Sequence, residues 1–485
     1  MSSFEFLALC WSASLIAVYL FRHYNKNQNP LPPGPWSLPW IGNIRYLISR
    51  PDWITYTVWY RKYESDIVHL NVAGNSLIIL NTLEAATELL ERRPGIYSID
   101  RPKLRMLNDL WKWSFISMPY GAEWKAQRNL FINMFNANNP DQHEPRELKS
   151  TRLFLLRLHR SSENLDQLIL KMAGSIILSV VYGFDVSAVQ DSVHIDHAEQ
   201  VAEGFVQTFL PGSFLVDYIP WLRYVPSWVP GASFQRRAQV WKEHTQKLLN
   251  GLCEAMKNYT VSGMSLESCF VSRCLRKLGS DPNEEQLIKH TAGSMYIAGT
   301  DTTVTTLRTF FLVMMKYPEY QIKAQRELDH VVGSDRLPNF GDRDSLPYVQ
   351  AIVYEIIRWQ PVAPTGLPRL SSKEDVYNGY RISEGSIVIA NIWAMMHDEK
   401  NFVDPYTFCP DRYIRADGHF NDDVLKSTVG FGFGRRICPG RHMALSAIWI
   451  AIASILSVFD ISKAVDGNGK IIEPSMEYIT TSLQK

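Results

Sequence analysis

The sequence predicts a mainly helical globular domain with small β-sheets, preceded by one membrane-spanning helix. Three observations support this prediction. Residues 4–21 form an apolar run at the start of the chain. From Glu84 onward, apolar residues recur at helical spacing, with no repeat or low-complexity segment between them. Before that point, residues 67–80 are rich in valine, leucine and isoleucine around Gly74-Asn75, which predicts a hairpin of two strands.

The apolar run at residues 4–21 is slightly shorter than the roughly 20 residues that span a bilayer. Arg22 and Lys26 follow it, and positive charge after the run places the rest of the chain on the cytosolic side. A cleaved signal peptide would need a basic segment before the run, which is missing, and an interfacial helix is the other alternative. We therefore expect a membrane anchor at residues 1–24, a stiff proline-rich hinge at 25–43 and a single domain at 44–485.

Composition excludes several classes of protein. The hydrophobic fraction of 46% is ordinary for a globular protein with a large core. Lysine and arginine total 50 against 49 acidic residues, so the chain has no electrostatic signature of nucleic-acid binding. The 6 cysteines are too few and too irregularly spaced for a disulfide framework. A domain in a reducing, cytosol-facing environment fits best.

One cysteine stands out by its surroundings. Cys438 lies between Gly434 and Gly440, and a long apolar helical run, residues 443–459, follows. Glycines let backbone N–H groups approach the sulfur, and the helix dipole and a bound metal ion would both favour the thiolate. Cys438 is therefore a candidate metal ligand. Taken alone, a buried cysteine is more commonly inert packing.

The surrounding pattern favours the functional interpretation. Phe431, Gly434, Arg436, Cys438 and Gly440 have the spacing F-x-x-G-x-R-x-C-x-G. This pattern resembles the haem-binding loop of the cytochrome P-450 family. The resemblance implies a mainly helical fold around a buried b-type haem, bound by these five residues, with the Cys438 thiolate as the axial ligand of the iron.

Trp124 and Arg128 are four residues apart and would share one helix face. Their N–H groups could bind one carboxylate together, although such a pair alone is usually surface packing. In the family, a W-x-x-x-R helix near this point holds the haem propionates. The resemblance implies that Trp124, Arg128, Arg436 and Arg369 bind the propionates here.

A long helix is predicted from Asp281-Pro282, a good start, to the stop at Tyr317-Pro318. Residues 298–303, Ala-Gly-Thr-Asp-Thr-Thr, are poor helix formers and predict a functional bend. The alternative is a threonine-rich buried helix whose hydroxyls bond to its own carbonyls. The hexapeptide resembles the oxygen-activating A-G-x-D-T-T of the family. The resemblance implies that Asp301 and Thr302 are catalytic, with Thr302 as the proton-relay alcohol.

Glu355 and Arg358 can pair on one face of an apolar helix, and Arg412 follows in F-x-P-x-R. An E-x-x-R pair by itself is usually a solvated surface pair. The combination resembles the folding triad of the family, which implies a structural role for Glu355, Arg358 and Arg412.

The assembled motifs imply a monooxygenase that inserts one atom of O2 into an apolar or aromatic small molecule. By resemblance, NADPH supplies electrons through a membrane-bound reductase, with cytochrome b5 as a further donor. The implied location is the endoplasmic reticulum membrane, in contact with lipid through a single span, with the catalytic domain facing the cytosol. The nearest resemblance is to hydroxylases of fungal secondary metabolism. Residues 101–118, 205–231 and 361–367 are expected to border the substrate pocket.

Two alternatives remain open at the level of sequence. A haem-thiolate isomerase or lyase would use the same cysteine on a peroxide substrate without a reductase, although the presence of both Asp301 and Thr302 argues against it. The second is a C-terminally truncated, inactive product. Family members usually continue into a further hairpin after the turn at residues 466–469, whereas this chain stops at Lys485.

Overall fold

The computed structural model describes eleven ranges of the chain. They are residues 29–48, 52–102, 104–161, 163–184, 201–202, 204–208, 213–217, 219–230, 232–261, 269–278 and 281–475. The predicted anchor at residues 1–24, the start of the hinge and the last ten residues lie outside these ranges.

Helices make up most of the described chain, as predicted. They are α1 (Ile44–Ile48), α2 (Asp52–Tyr63), α3 (Leu83–Ala86, continued by a π-helical turn Thr87–Arg92), α4 (Pro94–Tyr97), α5 (Arg105–Trp111), α6 (Ala122–Met134), α7 (Glu144–Arg160), α8 (Leu165–Tyr182), α9 (Ser233–Val261), α10 (Phe270–Leu278), α11 (Pro282–Lys316), α12 (Pro318–Val331), α13 (Pro347–Trp359), α14 (Ile392–Met396), α15 (Asp422–Leu425) and α16 (Arg441–Leu456). Short 3-10 turns cover Pro140–Gln142, Leu215–Asp217, Pro220–Tyr224, Phe340–Ser345, Pro410–Tyr413 and Gly434–Arg436.

The β-structure is small. Strands β1 (Ile67–Val72) and β2 (Asn75–Leu80) are antiparallel, β6 (Ile387–Ala390) lies parallel to β2, and β3 (Arg369–Leu370) closes the sheet antiparallel to β6. Strands β4 (Asp375–Tyr377) and β5 (Tyr380–Ile382) form a separate hairpin.

The predicted hairpin is confirmed, but its turn lies one residue earlier than Gly74-Asn75. Val72 pairs with Asn75, so the turn consists of Ala73 and Gly74. Both have positive φ, 48° and 88°, as the two-residue turn that matches strand twist requires.

Helix α11 crosses the core. The Asp281 carboxylate caps it by accepting a hydrogen bond from the backbone N–H of Asn283 at 2.8 Å, and the helix ends at Lys316 before Tyr317-Pro318, as predicted. It packs against α8. Within the described residues, α8 is the one helix with the length and hydropathy of a membrane span, but 67% of it is buried inside the protein. Helix α8 is therefore a core helix.

A buried ion-pair network joins α13 to the segment that precedes the cysteine loop. Glu355 and Arg358 are fully buried, and Arg358 contacts the two carboxylate oxygens at 2.6 and 2.8 Å. Arg412 lies 3.2 Å from the same carboxylate, and the backbone N–H of Cys409 donates to it at 2.7 Å. Arg358 also donates to the carbonyl of Pro405 at 2.8 Å. The network therefore fixes residues 405–412 against α13.

Helix α13 also supports the cysteine loop directly. A Cβ atom at Gly430 would lie 2.5 Å from Cγ2 of Ile357, closer than packed atoms approach. Since no side chain fits there without a shift, the segment leading to Cys438 lies directly on α13.

Glu355→Gln should destabilise the protein strongly. The substitution leaves Arg358 and Arg412 without their negative partner in the interior, which typically costs about 3–5 kcal/mol. The thermal unfolding midpoint should fall accordingly. Asp411→Asn is the matched control, because it removes the carboxylate of an exposed pair with Lys323 and should cost about 0–1 kcal/mol. Equal midpoints for the two variants would contradict a structural role of the network.

Candidate active site

An internal cavity lies between α11 and the cysteine loop. Its volume, counted as the space that the centre of a water molecule can occupy, is about 330 Å³. Most of its wall is apolar, which suits a ligand with little polar surface. The apolar lining includes Phe115, Ile116, Phe131, Ile177, Ala202, Phe205, Val206, Met295, Val362, Ala363, Leu367 and Val388.

Cys438 lies in the cavity wall and is half-buried. Its backbone N–H donates to the carbonyl of Phe431 at 2.9 Å, and α16 begins after Gly440. Gly434 has a φ of +52°, and a Cβ atom there would lie 2.7 Å from the carbonyl oxygen of Leu90. Only glycine fits this combination of backbone angle and close approach. The loop therefore keeps its shape because of its glycines.

The surroundings of Cys438 shift the pKa of its thiol from the ordinary value of a cysteine. Burial raises the pKa of the thiol above its ordinary value, and the backbone N–H of Gly440 and the charges of Arg128 and Arg441 oppose the rise without cancelling it. Desolvation of the sulfur therefore outweighs these local groups. A metal ion bound to the sulfur would favour the thiolate.

Four arginine side chains, Arg101, Arg128, Arg369 and Arg436, reach the cavity. Each donates to neutral oxygens, and none of the four pairs with a carboxylate in the described chain. Arg101 donates to the carbonyls of Ile116, Leu367 and Pro368, and Arg128 donates to the carbonyl of Ile437. Arg369 donates to the carbonyls of Leu90 and Phe433 and to the hydroxyl of Ser98. Arg436 donates to the carbonyls of Ser98, Ile99 and Met118.

Burial lowers the pKa of all four guanidinium groups. Burial and the neighbouring charge of Arg436 lower the pKa of Arg369 to about 10, and burial and the charge of Arg128 lower that of Arg436 to about 10. Such a site favours a ligand with two or more negative charges, and the two propionates of a haem fit it.

Arg101 was not singled out from the sequence. It lies in a range predicted to border the pocket, but no motif spacing marks it, because its acceptors Leu367 and Pro368 are far away in the chain.

Trp124 lies between two of these arginines. Its ring is buried, with the guanidinium carbons of Arg128 and Arg436 5.2 and 4.7 Å from its centroid. Within the described residues its indole N–H makes no hydrogen bond to the protein, so this donor is free for a ligand.

Helix α11 presents Ala298, Gly299, Asp301 and Thr302 to the cavity. Ala298 is exposed, although the preceding residues of the helix are buried. A Cβ atom at Gly299 would lie 2.6 Å from Cδ1 of Ile177, so glycine allows α8 to pack closely behind the helix.

Helix α11 continues through residues 298–303, so a bend there would not interrupt the helix. The Thr302 hydroxyl donates to the carbonyl of Ala298 at 2.8 Å, and other threonines of the helix bond four residues back in the same way. Such bonds slightly weaken a helix and commonly bend it, so the buried surroundings of the helix offset the poor helix propensity of threonine.

The remaining predicted residues divide into two sets. Phe431 and Gly440 line the cavity together with Cys438. Gly434 does not, since it turns towards α3, where its N–H donates to the Glu91 carboxylate at 3.1 Å. The triad centred on Glu355 also lies outside the lining.

The expected pocket border at residues 205–231 is only partly correct. Of its described residues, Phe205 and Val206 line the cavity, whereas Leu215 and Trp221 are exposed. Leu210 and Tyr218 lie outside the described residues.

A helical fold around an apolar cavity with a cysteine sulfur and an arginine cluster is that of a haem-binding oxidoreductase. The family model for cytochrome P450 matches residues 32–483, and the chain belongs to this family. Membership implies a haem-iron cofactor and monooxygenase activity.

Three similar proteins are fungal monooxygenases. Cytochrome P450 monooxygenase 98 of Postia placenta is 41% identical over 469 residues, which cover 96% of this chain and 89% of the relative. Cytochrome P450 monooxygenase ple1 of Rhodocybe pseudopiperita is 41% identical over 474 residues, with 96% and 90% covered. Tryptamine 4-monooxygenase of Psilocybe cyanescens is 38% identical over 472 residues, with 96% and 92% covered.

Haem whose two propionates are esterified should bind the apoprotein at least about 100-fold more weakly than haem, because the arginines then lose charge-assisted hydrogen bonds. The comparison is made by titration of the purified apoprotein. Arg101→Met should reduce the ratio of the Kd of esterified haem to the Kd of haem, since the variant lacks one of the four guanidinium groups. A ratio near one in the unsubstituted chain would mean that backbone carbonyls alone satisfy the arginines.

Proposed function

We propose that this chain inserts one atom of O2 into an apolar or aromatic small molecule and reduces the other atom to water. The observation that supports this most is that the sulfur of Cys438 and the side chains of Asp301 and Thr302 line one apolar cavity. A sulfur ligand, proton-exchanging groups and an apolar wall are what such a reaction needs in one place.

The residues that would hold the haem are those at the wall of this cavity. Cys438 Sγ would bind the iron, and Trp124 with the four arginines would bind the propionates. A haem held by a thiolate would supply the activation of O2, since a thiolate ligand favours O–O cleavage. The apolar lining excludes water from the reacting centre.

Asp301 and Thr302 would deliver protons. The Thr302 hydroxyl donates to its own helix, so its oxygen can still accept a hydrogen bond from a water molecule in the cavity. Thr302 Oγ1 thus holds the proton donor in place, and the half-buried carboxyl of Asp301, one residue earlier, exchanges protons with it.

Electrons come from NADPH through a separate reductase, with cytochrome b5 as a further donor. This part of the proposal rests on the family, whose members generally use redox partners, and on the sequence, in which no flavin- or nucleotide-binding domain is recognisable. The substrate belongs to fungal secondary metabolism. Support comes from the similarity to fungal monooxygenases, one of them named for tryptamine.

The proposed location is the endoplasmic reticulum membrane, with residues 1–24 as a single span and the catalytic domain, 44–485, in the cytosol. Exposed aromatic side chains near the start of the described chain, Trp36 and Trp40, support contact with lipid. Deletion of residues 1–28 should move the expressed chain from the integral membrane fraction to the carbonate-extractable fraction. An unchanged distribution would contradict the anchor.

The reduced carbon-monoxide difference spectrum tests the ligand. The chain should give the strongly red-shifted Soret band of a thiolate-bound haem, and Cys438→Ser should lose it because a hydroxyl is not ionised at neutral pH. Cys409→Ser is the matched control, since Cys409 is also half-buried but lies outside the cavity lining. A red-shifted band that persists in Cys438→Ser would refute the assignment.

Thr302→Ala should separate NADPH oxidation from product formation. Loss of the hydroxyl removes a positioned proton donor, so product per NADPH should fall on the order of tenfold or more and hydrogen peroxide should rise. Thr305→Ala is the control, because its hydroxyl makes the same bond, to the Asp301 carbonyl, but does not line the cavity. Turnover without NADPH or reductase would instead favour an isomerase or lyase.

A further inference from the structure

Residues 113–118 form an irregular part of the cavity wall, which we name the wall segment. It consists of turns between α5 and α6, and two of its side chains, Phe115 and Ile116, line the cavity. Turns do not satisfy all of their own backbone groups, so the position of this wall depends on what the remaining groups bond to.

Two backbone groups of the wall segment bond to one side chain of α6. The Gln127 amide oxygen accepts from the N–H of Phe115 at 3.2 Å, and its amide nitrogen donates to the carbonyl of Trp113 at 3.0 Å. Neither backbone group has a backbone partner among the described residues. Gln127 is fully buried and lies outside the cavity lining. It therefore holds the wall from behind without touching a ligand.

The same helix also holds the ring that this backbone carries. Phe131 lies one turn after Gln127 on the same face of α6, and its ring centroid is 6.3 Å from that of Phe115. The amide fixes the backbone of Phe115 while Phe131 supports its side chain, so both the place and the tilt of the Phe115 ring depend on α6.

A second tie runs to α11. The hydroxyl oxygens of Ser114 and Ser294 are hydrogen-bonded at 2.8 Å, and Ser114 Oγ also accepts from the N–H of Ile116 at 3.4 Å. Ser294 lies one turn before Ala298 on the helix that carries Thr302. The wall segment is thus held on one side by α6 and on the other by the proposed proton-delivering helix.

We propose that Gln127 is a positioning residue that sets the size and shape of the substrate side of the cavity, with the Ser114–Ser294 hydrogen bond as a second tie. This role rests on the proposed function, and it makes Gln127 the residue that sets which substrate sizes the cavity accepts. Gln127 acts through the Phe115 ring. The affinity for a bulky ligand that must fit against this ring therefore depends on Gln127, whereas the affinity for a small ligand at the iron does not.

The test compares two probes of different size on the haem-loaded full chain in membranes. Imidazole and 4-phenylimidazole both bind haem iron through nitrogen, and the shift of the Soret band gives each Kd. In Gln127→Met, which keeps length and volume but loses both hydrogen bonds, the Kd of 4-phenylimidazole should change by at least about tenfold, while that of imidazole stays within about twofold.

Gln321→Met is a closely matched control. Gln321 is also buried, its amide nitrogen donates to the carbonyl of Ile461 at 3.1 Å, and its amide oxygen accepts from the N–H of the same residue at 2.9 Å. It lies on α12, outside the cavity lining. The ratio of the two Kd values should therefore stay at the unsubstituted value.

An unchanged ratio in Gln127→Met, or an equal change in Gln321→Met, would overturn the positioning role. If Gln127→Met fails to retain haem, Ser114→Ala decides, with an expected change of about threefold in the ratio because one hydrogen bond is lost. No change there would also overturn the inference. An unsubstituted chain without the red-shifted carbon-monoxide band would instead overturn the proposed function, on which the inference rests.

Discussion

Four guanidinium groups of like charge, two buried and two half-buried, constrain the geometry of the whole site. Arg101, Arg128, Arg369 and Arg436 meet at one cavity, and the protein oxygens that accept their N–H groups are neutral. Neutral carbonyls satisfy hydrogen bonds but do not balance the charge, which is unfavourable where the surroundings are poorly solvated. A ligand with two carboxylates offsets that cost. The carbonyls that accept from the four arginines belong to chain segments far apart in sequence, and the fold must bring these segments together at the cavity.

The network centred on Glu355 has the opposite character. Its carboxylate is shared by Arg358 and Arg412 and accepts a backbone N–H, so its charges are balanced within the protein. Both clusters are rich in arginine, but only the network centred on Glu355 has a carboxylate hydrogen-bonded to its guanidinium groups among the described residues. The contrast in charge agrees with the two proposed roles, structural support for the network and binding of an anionic ligand for the cavity arginines.

Elements that are determined by residues close together in the chain could be predicted from the sequence. The hairpin and both ends of α11 follow from turn, cap and proline chemistry within a few residues, and only the turn at Ala73-Gly74 was displaced by one position. Residues 298–303 stay within a continuous helix despite their poor propensity, because propensity describes an isolated helix, whereas here packing against α8 also contributes. Arg101 and Gln127 could not be found, since each acts on backbone groups that no motif marks.

The wall segment links the proposed cofactor site to the proposed substrate site. Arg101 donates to the carbonyl of Ile116 and Arg436 to that of Met118, while the Gln127 amide takes the backbone groups of Phe115 and Trp113. Along this short segment, the backbone groups of Trp113 and Phe115 thus bond to the amide behind the apolar wall, and the next two carbonyls bond to the arginine cluster. A displacement of the whole segment would change both sets of bonds, whereas loss of the Gln127 amide alone leaves the hydrogen bonds of Arg101 and Arg436 in place.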